Sequence, residues 1–286
     1  MWMRSDFLAD REEVDRFLRE REYCCVRLAE TIERARAFPS RIFDLVGLVH
    51  LSAAGIVDGA VTADREGTVH CVLPNGIQED ASLCEFLNFY VSVKKITGPT
   101  NDTLRVARGL SSAGCSTQSY TLMRIRATNI ARNPSRESDP WERYRIEIRD
   151  ATESDLAALV SLHRAYEREE LLMNTSLPET EFRIRALLNH QMISMALVDG
   201  EPVGKINTNA RGIFCDQVGG FYVMPGHRGA GIGTALLRSL LSRIEEAEKD
   251  AVLYVRSSNA VARRMYERAG FLPAGEYAMS TVRSTH

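Results

Sequence analysis

The strongest constraint in this sequence is the segment Gly219-Gly220-Phe221-Tyr222-Val223-Met224-Pro225-Gly226-His227-Arg228-Gly229-Ala230-Gly231-Ile232-Gly233-Thr234. An apolar run from Gln217 to Met224 reads as a strand and is stopped by Pro225. Gly229, Gly231 and Gly233 then alternate, and a long helical pattern covers Ala230 to Ala247. The first turn of a helix carries free N–H groups and a partial positive charge. Glycines let the backbone close around an anion without interference from Cβ atoms. The segment is therefore built like a diphosphate cradle. A glycine-rich corner can also be a plain structural turn, so its surroundings have to decide.

Two familiar phosphate loops do not fit. A P-loop needs Lys-Ser/Thr after its last glycine, and here Ala235 follows Thr234. A dinucleotide fingerprint sits on the first strand of a βαβ unit, with an acid closing the next strand. Here the loop follows several strands, and the next one, Val252 to Arg256, ends without an acid.

The elements around the segment are legible. Tyr144 to Arg149 alternates as a strand, and Thr152 with Asp155 forms a capping signature for a helix through Tyr166. Pro178 starts another helix. Met192 to Val198 and Val203 to Thr208 flank the hairpin signal Asp199-Gly200. After the long helix come the strand Val252 to Arg256, a helix from Asn259 to Ala269 closed by Gly270, and a strand from Tyr277 to Val282. The order β-α-α-β-β-β-α-β-α-β predicts an α/β fold, a mixed sheet with helices on its faces.

A chain of 286 residues holds about two domains at roughly 150 residues each. Ala131 to Trp141 is polar, contains two prolines and has almost nothing to bury, so the expected division is 1–130, a linker at 131–142, and 143–286. The first half opens with a long helical pattern from Phe7 to the break at Pro39, and Arg41 to His50 reads as a second amphipathic piece. Strand-like runs follow at 59–62 and 68–73. Leu83 to Val93 is apolar and of ambiguous type, Asp102 to Leu110 is a helix, and Tyr120 to Ile125 a strand. The loop at Gly98 to Asp102 lacks the glycine spacing of a cradle.

A net charge of −2 gives no basic excess to hold nucleic acid. No apolar run is long enough to span a membrane, and the charged start Met1 to Arg21 has no apolar core of a secretory signal, so the expectation is a cytoplasmic protein. Cys24, Cys25, Cys71, Cys84, Cys115 and Cys215 show no CxxC spacing and read as reduced core thiols. The scattered histidines give no metal-ligand spacing.

With these residues in hand, the second half resembles the GNAT (GCN5-related) N-acetyltransferases. Their Arg/Gln-x-x-Gly-x-Gly/Ala motif is matched by Arg228, Gly231 and Gly233. Their second motif, Asn-x-x-Ala-x-x-x-Tyr followed by Gly-Phe, is matched by Asn259, Ala262, Tyr266, Gly270 and Phe271. The resemblance implies the GNAT fold and acetyl-CoA as cofactor. The backbone of Arg228, Gly229, Ala230, Gly231, Ile232, Gly233 and Thr234 would hold the pyrophosphate. Phe221 and Val223 would pair with the pantetheine amides, and an amide near Tyr222 or Val223 would face the thioester oxygen. Asn259 and Ala262 would flank the thiol arm, and Tyr266 would protonate the departing thiolate. The first half, with helices, paired strands and a strand-loop-helix-strand, is similar to a shortened, degenerate copy of the same fold.

The resemblance implies transfer of an acetyl group to a primary amine by direct attack. An alkyl amine is mostly protonated at neutral pH, so a base must take its proton. The candidates are Asp216, the favoured one, and Glu167, Glu169 and Glu170; Tyr222 also stands to face the acceptor. The acceptor is a small-molecule or protein amine, shaped by Leu171 to Leu188 and by the first half. Neither nucleic acid nor membrane is an expected partner, and the chain is expected as a monomer or homodimer. Two alternatives remain: a tandem acyltransferase of the mycothiol-synthase or aminoacyl-transfer type, and a non-enzymatic acetyl-CoA sensor.

Overall fold

The computed structural model describes residues 1–5, 7, 11–38, 45–64, 66–75, 81–110, 114–130, 146–171 and 173–283. Its first half runs β1 (Trp2–Arg4), α1 (Arg11–Arg21), α2 (Val26–Ala37), β2 (Leu45–Leu51), β3 (Val57–Asp64), β4 (Thr68–Val72), α3 (Ala81–Tyr90), β5 (Lys95–Pro99), α4 (Thr100–Leu110) and β6 (Cys115–Ile125). After the single turn α5 (Ala127–Ile130), the second half runs β7 (Ile146–Asp150), α6 (Leu156–Tyr166), α7 (Leu177–His190), β8 (Ile193–Val198), β9 (Glu201–Arg211), β10 (Cys215–Val223), α8 (Ile232–Glu246), β11 (Asp250–Arg256), α9 (Ala260–Arg268) and β12 (Leu272–Val282).

Apart from α5, both halves follow one order: strand, two helices, three strands, helix, strand, helix, strand. The first half is therefore a full-length counterpart of the second, not a shortened one. Its elements differ from the sequence reading in several places: β1 is additional, and the loop expected at Gly98 to Asp102 is the end of β5 and the first turn of α4. The long helical pattern is broken into α1 and α2 by a 3-10 turn, Glu22–Cys24, and by Cys25 at φ −150° and ψ 36°. The described part of the amphipathic piece expected at Arg41 to His50 lies in the strand Leu45–Leu51, which pairs on both sides, with β1 and with β3. Pro39, Arg41 and the linker 131–142 lie outside the described residues.

The strands form one sheet in the order β1-β2-β3-β4-β5-β12-β6-β11-β10-β9-β8-β7. Its centre is an exchange. β12, the last strand of the second half, pairs with β5, and β6, the last strand of the first half, lies between β12 and β11. The sequence division at 131–142 is thus not a division of the sheet. Each half contributes one parallel pair, β4–β5 and β10–β11.

Alternation along the strands separates the layers. On β8, Ile193, Met195 and Leu197 pack with Leu159 of α6 and Ile184 of α7. Ala196 points the other way, into the core of α8 with Leu236, Leu237 and Leu240. In the first half, α2 buries Leu28, Ala29 and Ile32 over a core that includes Ala210 and Cys215 of the second half. The halves are also joined by Glu22, whose Oε1 accepts from the amides of Phe214 and Cys215, each at 2.8 Å. Asp199 and Gly200, at φ 49° and 85°, form the expected hairpin between β8 and β9. No helix among the described residues is long and apolar enough to cross a membrane.

Candidate active site

The site begins where β10 leaves β11. Their parallel pairing runs from Cys215↔Asp250 to Val218↔Leu253. Beyond it, β10 stays with β9 as far as Val223↔Gly204, and β11 stays with β6 as far as Arg256↔Tyr120. A notch opens between them, bordered on the β10 side by Gly219 to Val223. There β10 also bulges against β9, its register shifting between Gly219 and Tyr222. Gly220 sits at φ +55°, and a Cβ there would lie 1.8 Å from Asn207 Oδ1, so the bulge admits only glycine.

The glycine corner lies at the end of this strand. Gly229 and Gly231 both have left-handed backbones, φ +82° and +83°, and a Cβ on either would meet nothing within 4 Å. Their conformation thus calls for glycine, and the space above them is open. Gly231 is the N-cap of α8, and the first amide to bond back is that of Ala235, to Gly231 O at 3.0 Å. The helix amides before it are the ones α-helical geometry leaves free, at the positive end of a 15-residue helix. Gly233 has a different reason: a Cβ would crowd Phe221 Cζ at 2.9 Å. An open, positively polarised nest beside a strand edge fits a diphosphate with an extended amide-bearing arm.

Across the notch stands α9. Asn259 caps it, its side-chain oxygen accepting from the Ala262 amide at 3.0 Å. Ala262, Met265 and Tyr266 face the core. The Tyr266 ring lies 6.4 Å from that of Phe221 and 5.9 Å from that of Phe271. Burial pushes its phenol well above the ordinary range, so it holds its proton at neutral pH. A cavity of about 830 Å³ runs between α8 and α9, sharing Thr234 with the cradle and Met265 with α9.

The opposite wall is a π-helical turn, Glu167–Leu171, that ends α6. Such turns often re-aim side chains at functional sites. Glu169 accepts from the Tyr222 hydroxyl at 3.2 Å and pairs with Arg228 at 2.6 Å. Arg228 in turn donates from Nε to Val223 O at 2.8 Å. The hydrogen bond from Arg228 holds the Glu169 carboxyl below its usual range, while burial and Glu169 push the Tyr222 phenol up. Glu167 is buried and tied to Arg183 at 3.1 Å. Glu170 is exposed and within electrostatic reach of Tyr166 and Tyr266.

Asp216 is not brought to this place. It lies at the start of β10, about 20 Å from Tyr222 at about 3.3 Å per residue. There it is buried against Lys249 at 3.3 Å and Arg211 at 3.6 Å. Alternation and strand position could not reveal that the strand carries it away from the notch; only the direction of splay does. The sequence reading also passed over Lys205. This lysine is 1% exposed and directly opposite Tyr222 on β9. A lysine inside the apolar strand Val203–Ile206 was the available signal.

The counterpart notch in the first half is filled. Asp102 of α4 accepts from the Leu73 amide at 3.0 Å, and Arg105 donates to Pro74 O at 3.1 Å. The backbone edge after β4 is thereby spent on side chains. The cradle's counterpart in chain order is the β4–α3 connection, where the sequence Pro74-Asn75-Gly76 has no alternating glycines.

Comparison with known proteins gives one family. Residues 156–271 match the model of the acetyltransferase (GNAT) family. No curated protein matches the sequence. Among solved structures, a Drosophila protein is similar with a TM-score of 0.70 and 15% identity over 98% of both chains. A GCN5-related N-acetyltransferase from Sphaerobacter thermophilus has a TM-score of 0.61 at 16% identity, over 100% of this chain and 97% of that one. A tandem GNAT protein from the clavulanic acid biosynthesis pathway has a TM-score of 0.56 at 14% identity, over 100% and 99%. At such identities the likeness is one of fold, and it extends over both halves. With the family match on the half that carries the cradle, the notch and Tyr266, that half belongs to the GNAT family of acetyltransferases.

Proposed function

We propose that this protein is an acetyl-CoA-dependent N-acetyltransferase that acetylates a primary amine by direct attack on the thioester. The family match supports an acyltransferase role. The observation that carries the finer reading is the continuity of an open glycine nest with the strand edge that β10 exposes where it parts from β11. The amides of Gly229 to Thr234 would hold the diphosphate, and the strand edge at Val223, past Phe221, would pair with the pantetheine amides. Bound acetyl-CoA supplies an activated acyl group and a thiolate leaving group.

The remaining work falls to side chains of this half. Tyr266 keeps its proton at working pH and packs beside Phe221 at the edge of the notch, and it would protonate the leaving sulfur. Glu167 and Glu169 are committed to Arg183 and Arg228. Glu170 is the carboxylate left to take the amine proton, directly or through water. Leu171, Met173, Leu177 and Phe182 are exposed apolar side chains of the segment that would shape the acceptor side. The filled notch of the first half supports a single catalytic centre.

Thiol release from acetyl-CoA, followed across a panel of amines, tests the proposal. At least one amine should raise release well above hydrolysis, and Tyr266→Phe should lower that turnover about 10²-fold while coenzyme affinity holds. Tight coenzyme binding with no amine-dependent release would favour the sensor reading.

A further inference from the structure

Lys205 is the largest polar side chain buried in this region, and the proposed chemistry gives it no task. Its ammonium donates to Gly220 O at 2.8 Å and to Asn207 Oδ1 at 3.0 Å, and lies 5.5 Å from the Tyr166 ring centroid. Glu167 of the π turn and His163 of α6 lie within its electrostatic reach, and Tyr166 and Tyr222 are the phenols beside it. Burying an amine so completely is costly unless it serves a fixed geometry.

The Gly220 carbonyl belongs to the bulge, where the regular ladder to β9 is interrupted. A peptide unit is planar and trans, so its C=O and N–H point in opposite directions. The Lys205 ammonium sits on the α6 face of the sheet, beside Tyr166, so drawing the Gly220 carbonyl to it turns the Phe221 N–H off that face and toward the opposite side, where α8 and α9 pack and β10 has parted from β11. That side is the notch.

We propose that Lys205 is a positioning residue: by holding the Gly220 carbonyl it aims the Phe221 amide into the notch, where that amide meets the thioester oxygen of the bound acyl donor. Burial draws Lys205 down to about 7. Near neutrality it is thus a mixture of ammonium and amine, and both forms carry N–H donors, so the hold on Gly220 persists through that titration. The inference rests on the coenzyme reading above.

The test compares affinities for acetyl-CoA and S-ethyl-CoA, a thioether without the carbonyl, by calorimetry. The wild type should favour acetyl-CoA. Lys205→Met should bring the two within about twofold of each other and lower kcat about tenfold, with KM for the amine little changed. In wild-type protein, the Phe221 amide resonance should shift with acetyl-CoA and not with S-ethyl-CoA, a readout independent of whether the variant folds. A folded Lys205→Met that keeps the wild-type preference and kcat overturns the proposal, as does a Phe221 amide equally affected by both ligands. Failure of the wild type to bind either ligand would instead overturn the coenzyme reading.

Discussion

At the scale of single residues, the buried charges show what each position costs and gains. Glu22 is 1% exposed, and its Oε2 has no hydrogen-bond partner among the described residues. Burial raises its pKa from 4.5 to about 7 against the pull of the two amides it accepts from. A group whose folded pKa is raised contributes stability at low pH and loses it as pH rises through the folded value. Glu22 is therefore best tolerated below about pH 4.5 and strains the joint between the halves above about pH 7. Glu22→Gln keeps an acceptor for Phe214 and Cys215 and removes the titration. Its melting temperature relative to wild type should climb by several degrees between pH 5 and pH 8; a constant difference would show that Glu22 stays ionised when buried. Tyr266 and the cradle glycines were legible as candidates because they belong to contiguous motifs. Lys205 and Glu169 gain their importance through space, from Gly220 and Arg228, and no local pattern announces such partners.

At the scale of elements, the strand–corner–helix of β10 and α8 is the unit most tightly specified. Its glycines serve separate ends: Gly220 shapes a bulge, Gly229 and Gly231 supply left-handed turns, and Gly233 lets Phe221 pack close. Gly231→Glu should abolish coenzyme binding, because it adds a like charge in the open space and strains a backbone at φ +83°. Calorimetry showing unchanged affinity would remove the diphosphate from this corner. Most elements of the second half were legible because capping residues, the Asp199-Gly200 turn and Pro225 mark their ends. Leu45–Leu51 was misread because its apolar residues do not alternate. A strand covered on both faces carries no period of two, and its pairing with β1 and β3 lies outside the local sequence.

At the scale of the whole molecule, the two halves share a fold order but divide the labour. The second half keeps an open glycine nest beside an edge where Arg228 holds Val223 O, whereas the first spends the edge after β4 on Asp102 and Arg105. Its return is structural: β6 supplies the neighbour that β11 needs along the notch, and β12 supplies the neighbour that β5 needs. The exchange was not legible in the sequence, since either last strand would satisfy either edge by composition. A protease site placed in the linker 131–142 tests it. The cut fragments should co-elute under native conditions and separate in denaturant; fragments that part without denaturant would mean the central pairings add little. Production of the chain carries a further consequence. β5 leaves the ribosome long before β12, by on the order of ten seconds at typical elongation rates. Through that interval the nascent first half holds open strand edges of the kind that recruit other chains. Truncation before Leu272 would make the exposure permanent, so the final strand guards the solubility of the first half as well as completing the second.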